Sequence, residues 1–540
     1  MFLDLLIPVA IVLTVVILFL IAFILLKTAL FSPKQKSVKP SNLVEVDGQS
    51  IAERLSLAVQ QKTISNPDHE KIDPAPFLGL HRLLKTLYPL VHSQLSLDIV
   101  SDYSLLYTWQ GKNPSLKPIM LTAHLDVVPA DEDENSGWAH PPFSGEIADG
   151  FVWGRGTFDV KNGVIGILEA VEYLLKKGFE PERTVYLGFG HDEEIGGMNG
   201  AKKIFELLEA SGVRLSSLLD EGGLVAKEFI PGIETPVGMI GISEKGYLSL
   251  RLRVESLGGH ASTPPAETAI GILSRAIASL ESQPMPAHLE VIEFLMSYLG
   301  SELPFFQRLL FANTWLFGGL LKKRLAKSPI LNASIRTTTA PTIINAGVKD
   351  NVLPAKAEAI VNFRLFPGDD LRSVYEMVQE RIGDERVIVE PVSGEVLEGD
   401  SGWDPSPVTD VDSPQFIRIS RLIKEIFPGV ITAPFLMTGA TDARHYRSLS
   451  ESSLGFSPIL LNKDDLHGMH GVNERLSIEN CAKMVGFYIA YIQELADLPG
   501  EVDVADQDAS EEVEPEEDLD DYLEDIPEDF MEGLTKQDQV

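Results

Sequence analysis

The chain has 540 residues, with 45 Lys plus Arg against 79 Asp plus Glu and a formal net charge of −34. That length exceeds one ordinary hydrophobic core and predicts two or more domains. The acidity excludes nucleic acid as the main partner, because phosphate contacts need clustered cations. The single cysteine, Cys481, excludes an intrachain disulfide and any metal site built from two thiolates of this chain.

Leu5 to Leu26 is an uncharged, strongly apolar run. As a helix rising about 1.5 Å per residue it reaches roughly 33 Å, enough to cross a bilayer. A cleaved signal peptide is the competing reading. It fits less well, because the segment before the run carries Asp4 and no Lys or Arg, and the run is long for a signal. We therefore expect a membrane anchor over residues 1–30 and a linker over 31–44. Lys27, Lys34, Lys36 and Lys39 flank the run. The positive-inside rule puts such a flank in the cytoplasm.

Residues 45–243 alternate strand-like and helix-like stretches. Ile119 to Val128 is an apolar run with a polar end, Val164 to Leu175 has helical spacing, and Thr184 to Gly190 is again strand-like. This order predicts an α/β catalytic domain with a mostly parallel sheet. From Tyr247 the pattern changes. Leu248, Leu250, Leu252 and Val254 alternate as in a half-exposed strand. Helices are expected at about Glu267–Glu281 and Leu371–Ile382, and strands around Ile335 and Ala357–Leu365. Residues 244–395 thus read as an inserted α+β lid or dimerisation domain, and 396–497 as the second part of the catalytic domain. Leu289 to Leu325 is apolar but interrupted by Pro304, Arg308, Asn313 and Lys322. Core or oligomer packing is favoured there over a second membrane span, and a membrane-facing patch is a further reading. The tail, 498–540, holds 18 acids and one Lys from Glu501 onward, a net of −17. It reads as a disordered solvating segment, or as a partner-binding one through Tyr522, Leu523, Ile526 and Phe530.

Five clusters can carry chemistry. His124-Leu125-Asp126 ends an apolar strand, where residues two apart share a face, and a carboxylate commonly orients a metal-bound imidazole. Alone, the pair also reads as an ordinary surface pair. In Gly154-Arg155-Gly156-Thr157-Phe158-Asp159 the glycines permit a tight turn ahead of a helix, with Asn162 as a candidate helix cap. Asp192-Glu193-Glu194 packs three acids at a strand end, a costly arrangement without a cation. Neighbouring carboxylates there can divide metal binding from proton transfer. Leu219-Asp220-Glu221-Gly222-Gly223 is a further acidic strand end, and His467-Gly468-Met469-His470-Gly471-Val472-Asn473-Glu474 offers two imidazoles.

Together, "HLDVVP", "GRGTFDVKNG", "GHDEEIGG", "DEGG", "GGHASTPP" and "HGVNE" resemble the M20 metallopeptidase family. They look most like its branch of carboxypeptidase S and N-fatty-acyl-amino-acid synthase/hydrolases. The resemblance covers about residues 45–497 and implies a zinc-exopeptidase architecture with two Zn2+ ions, for which Co2+ or Mn2+ would be substitutes. It implies that His124 and Asp220 hold one zinc, Glu194 and His470 the other, and that Asp159 bridges both. His467 is the alternative to His470. Glu193 would be the general base, Asp126 would orient His124, and a cis peptide would follow Asp159. His260 resembles the family's lid histidine, expected to donate to the oxyanion. Asn345, Arg364, Gly439, Thr441 and Arg444 resemble contacts to a substrate carboxylate, which the planar guanidinium grips in two places. Structural salt bridges are the other reading of Arg364 and Arg444. The implied reaction is hydrolysis of a peptide or N-acyl bond whose amine side is an amino acid with a free carboxylate. A dipeptidase or aminopeptidase of the same family is the alternative enzyme, and a membrane-tethered metal-binding scaffold the non-catalytic one. A homodimer through the lid domain is the expected assembly. Relatives of this branch act in the vacuole lumen or outside cells, against the cytoplasmic side that the lysine flank favours.

Overall fold

The computed structural model describes residues 2–31, 38, 44–133, 135–230, 232–300, 302–393, 397 and 401–496. The acidic tail lies outside the described residues. The Phe2–Leu30 helix extends the apolar run at both ends, and its Ile7–Leu30 stretch is long and apolar enough to cross a membrane.

The largest sheet has ten strands. Its middle is parallel: Ile119–His124 lies between Val185–Gly190 and Ser217–Asp220, and Ser453–Gly455 runs alongside the last. All six residues of Ile119–His124 are buried, as expected of a strand covered by helices on both faces. One covering layer pairs helix Lys161–Lys176 with the C-terminal helix Ile478–Ala496. Because the central strands are parallel and His124 pairs with Gly190, their carboxyl ends open on one side. Such a sheet binds ligands there.

A second, antiparallel sheet orders Thr338–Ala346, Lys356–Leu365, Gly246–Glu255 and Val387–Pro391, with Gly402–Trp403 also on Gly246–Glu255. Leu248, Leu250, Leu252 and Val254 are buried, as their alternation predicts, and share a separate core with helices Ala269–Ser282 and Leu371–Ile382. Both helices are capped from their own sequence. Thr268 accepts from the Gly271 N–H, and Asp370 and Ser373 form a reciprocal capping box. An α/β sheet domain with an inserted α+β unit is therefore the architecture.

One local expectation, the Asn162 cap, differs, whereas Leu289–Leu325 packs into a core as favoured. Leu289–Leu325 forms three short helices, Glu290–Tyr298, Phe305–Ala312 and Thr314–Leu325. Although they fall within the insert in sequence, their core includes Ile233, Val237 and Ala433, beside and on outer strands of the first sheet. Asn162 is no helix cap: the helix starts at Lys161, which puts Asn162 in its buried first turn. The cap position falls on Val160, whose side chain makes no capping bond.

Candidate active site

The open edge of the first sheet gathers the acids and imidazoles singled out above. His124 ends its strand and is buried. Its Nδ1 lies 3.0 Å from the Asp126 carbonyl oxygen and 3.3 Å from Asp126 Oδ1. The Asp126 carboxylate also accepts the N–H groups of Glu193 and Glu194, at 3.1 and 3.2 Å. One buried carboxylate thus fixes both the imidazole and the turn after strand Val185–Gly190.

His124 Nε2 points the other way, to Asp159 Oδ1 at 3.3 Å, Glu221 Oε1 at 3.4 Å and Glu193 Oε2 at 3.9 Å. The second oxygen of Asp159 stands 3.1 Å from His470 Nε2, which is 3.0 Å from Glu194 Oε2. Asp159 therefore shows one oxygen to each imidazole. His467 is solvent-exposed. The Asp159–Val160 peptide is cis, and the turn before it carries Gly154 and Gly156 at φ +143° and +89°, values that side chains resist.

The site differs from the sequence reading at the DEGG corner. Asp220 Oδ2 accepts the Ala443 N–H at 2.7 Å, whereas Glu221 is the acid whose carboxylate faces His124. Adjacent strand-end residues point to opposite faces, so only one of the two can look into the cluster.

Charge is concentrated here. Burial pushes Glu193 well above the usual carboxylate range; Glu221, Asp442 and Glu194 add to this, and His124 opposes it. Burial, with Asp159 and Asp220 nearby, raises Glu221 to about 7 against the pull of His124. Burial alone would discharge His124, yet Asp126, Asp159 and Glu221 outweigh it and hold the imidazole well above its ordinary value. Asp159 and Glu194 raise His470 to about 10. Among the described residues, His124 Nε2 and Glu194 Oε1 are buried without a hydrogen-bond partner. Two ligand-atom groups, His124–Glu193–Glu221 and His124–Asp159–Glu194, each lie within 4.8 Å. Nitrogen and oxygen donors with unspent lone pairs fit a divalent cation.

Glu474, the acid that ends HGVNE, has a role that the motif alone does not show. Its buried Oε1 accepts from the backbone N–H groups of Gly156, Phe158 and Asp159 at 2.9, 3.0 and 3.3 Å. Its Oε2 takes Arg155 Nη1 at 2.6 Å, and Arg155 Nη2 donates to the Gly471 carbonyl at 2.8 Å. The pair thereby ties the Asp159 loop to the His470 loop. The only advance signal was an acid at the end of HGVNE.

Around the cluster, Thr441 donates to buried Glu244 at 2.6 Å and so pins the Gly439–Arg444 loop, with Gly439 exposed. Arg444 donates to the Gly196 carbonyl and lies 3.8 Å over Trp403. Trp403 stacks on Tyr247 at 4.7 Å, and Arg364 covers the far face of that pair, 5.0 Å over Tyr247. Burial lowers both guanidinium pKa values, and among the described residues neither arginine pairs with a carboxylate. His260 and Asn345 stand exposed on the insert. His260 Nδ1 accepts the Ser262 N–H at 3.1 Å; neither His260 nor Asn345 touches the cluster among the described residues.

Peptidase family M20/M25/M40 matches residues 120–494. A probable carboxypeptidase S-like 2 of Dictyostelium discoideum is 40% identical over 88% of this chain and 92% of its own. The mouse N-fatty-acyl-amino acid synthase/hydrolase PM20D1 is 39% identical over 84% and 89%. The M20 metallo-carboxypeptidase Sso-CP2 of Sulfolobus solfataricus shares the fold, with a TM-score of 0.58 at 17% identity, over 83% of this chain and 99% of its own. The chain therefore belongs to peptidase family M20/M25/M40, on the branch of carboxypeptidase S and the N-fatty-acyl-amino acid synthase/hydrolases, and is a metal-dependent hydrolase.

Proposed function

We propose that the protein hydrolyses an amide bond, peptide or N-acyl, next to an amino acid with a free carboxylate, on a pair of zinc ions for which cobalt or manganese can substitute. The observation that carries this is Asp159, whose two oxygens face His124 and His470 separately. His124 and Glu221 would hold one metal, Glu194 and His470 the other, with Asp159 between them. Glu221 would take the place that the family resemblance implies for Asp220. When bound, such a pair supplies Lewis acidity and lowers the pKa of water. Glu193 takes the proton of the attacking water and returns it to the leaving amine. Its carboxylate lies 3.9 Å from His124 Nε2, within the group of ligand atoms, a position that suits both halves of that transfer. Asp126 keeps Nδ1 of His124 engaged so that Nε2 faces the cluster.

Arg364 and Arg444, held on either side of the Tyr247–Trp403 stack, suit a substrate carboxylate, and neither forms an ion pair with a carboxylate among the described residues. Gly439 and Thr441 shape the same loop. His260 and Asn345 are proposed as substrate contacts delivered through the lid, by a homodimer along its exposed edge strand Thr338–Ala346. Residues 244–395 would be that lid and dimerisation domain, between catalytic parts 45–243 and 396–497. Residues 1–30 would be the membrane anchor, its C-terminal flank marked by Lys27. A panel of N-acyl amino acids and free dipeptides, assayed with added zinc, tests the substrate class. Preference for substrates with a free amine would favour a dipeptidase or aminopeptidase instead. Zinc binding without turnover on any of them would favour the tethered scaffold.

A further inference from the structure

The apolar N-terminal helix does not stand apart from the enzyme body. Its C-terminal end packs on helix Phe305–Ala312. Asn313, fully buried, donates to the Ile24 carbonyl at 3.3 Å and to Thr28 Oγ1 at 3.1 Å. Thr28 is itself buried, in a helix whose apolar side chains are largely exposed. The Asn313 amide also donates to the Leu309 carbonyl at 2.9 Å, and its reach to Ile24 and Thr28 ties the two helices through hydrogen bonds. Phe23 meets Trp315 edge-on, with ring centroids 6.3 Å apart.

The two short helices that receive this contact also carry an outward apolar face. Phe305, Phe306, Trp315 and Leu320 are 56%, 60%, 54% and 56% exposed. Helix Thr314–Leu325 ends in exposed Lys322, Lys323 and Arg324. Apolar patches of this kind mark a protein or membrane contact, and continuity with the N-terminal helix decides between them. Ile7–Leu30 has 24 residues, or about 36 Å of helix against a hydrocarbon core of about 30 Å. Phe23 sits seven residues before Leu30, so roughly 10 Å from that end and some 7 Å inside the hydrocarbon boundary of a centred span. A side chain that touches Phe23 is at bilayer depth, beneath the interfacial zone where tryptophan concentrates.

We infer that helices Phe305–Ala312 and Thr314–Leu325 form a second membrane contact, dipping their aromatic face into the leaflet where the N-terminal helix ends. Lys322, Lys323 and Arg324 lie at the headgroups. The inference rests on the anchor reading of residues 1–30. Two contacts, unlike one helix on a linker, fix the orientation of the body on the membrane.

The test uses the full chain in vesicles of phosphatidylcholine and phosphatidylglycerol. An environment-sensitive fluorophore is attached at Phe306→Cys, Leu320→Cys, Leu18→Cys or Lys85→Cys; the native Cys481 is buried. Doxyl-labelled lipid is the quencher, and retained metal-dependent turnover certifies each variant. If Phe306→Cys loses turnover, Leu320→Cys carries the test. Quenching at Phe306 or Leu320 approaching that at Leu18, and several-fold above exposed Lys85, is the expected result. Quenching at Leu18 alone overturns the inference and leaves the anchor standing. Quenching at none of them overturns both. A blue-shifted but unquenched label at Phe306 or Leu320 means that a second copy of the chain covers this face, and also overturns the inference.

Discussion

Glu221 and Asp220 are neighbours of the same charge with opposite surroundings, and exchanging each for its amide separates them. Glu221 Oε1 stands 3.4 Å from His124 Nε2, within the group of ligand atoms. Glu221→Gln removes one of the two carboxylates proposed for its metal. Changing even an outer partner of a metal ligand costs about 10–100-fold in affinity. Losing the ligand itself should exceed the upper figure, roughly 2.7 kcal/mol or more. Asp220 Oδ2 accepts one backbone N–H, from Ala443 at 2.7 Å. Asp220→Asn keeps an acceptor there and loses only the charge assistance, about 1 kcal/mol of stability. Zinc affinity measured by competition with a chromophoric chelator should therefore fall more than about 100-fold in Glu221→Gln and less than about tenfold in Asp220→Asn, with kcat/KM following the same order. The reverse order would refute the reasoning and restore Asp220 as the ligand.

Glu193→Gln should lower kcat by about 10²–10⁴-fold, the usual scale of general acid–base catalysis, with zinc content and fold unchanged; a small loss at saturating zinc would remove Glu193 from the proton path. Glu474→Gln leaves Arg155 facing an amide and breaks a buried pair, a loss of about 3 kcal/mol. It should lower the denaturation midpoint and weaken zinc binding together, and a change in only one of these would mean that the two loops are not coupled through it. Burial holds Lys245 at about 7, against an ordinary 10.5, while its Nζ donates to the Ala333 and Arg336 carbonyls. Between those values the unfolded chain binds one proton more than the folded one. Stability therefore gains about 1.4 kcal/mol per pH unit as pH rises from 7 towards 10. Below pH 7 both states are charged and the penalty is constant. The stability of wild type relative to Lys245→Met, followed by denaturant titration across this range, should rise with pH; a flat difference would contradict it.

The parallel sheet was legible because Ile119–His124 is a continuous apolar run, and the second sheet because Leu248 to Val254 alternate. Strand ends then located His124, Glu193, Glu194 and the DEGG corner. Local pattern cannot say which of two adjacent acids turns inward. That depends on Ala443, more than two hundred residues later, offering its N–H to Asp220. Glu474 was obscure for the same reason: its partners lie at Arg155 to Asp159, and only folding brings them near. The stack of Arg364, Tyr247, Trp403 and Arg444 joins four distant stretches and has no sequence period. His260 and Asn345 carry family motifs, but a motif states neither distance nor which copy of the chain supplies the residue.

The measurement that bears most directly on the metal pair is anomalous diffraction at the zinc edge from crystals of the protein grown with zinc. The account predicts two peaks flanking Asp159, about 3.5–4 Å apart, one bound by His124 and Glu221 and the other by Glu194 and His470. A single peak, or a pair in which either cation lies beyond bonding distance of Asp159, would contradict it.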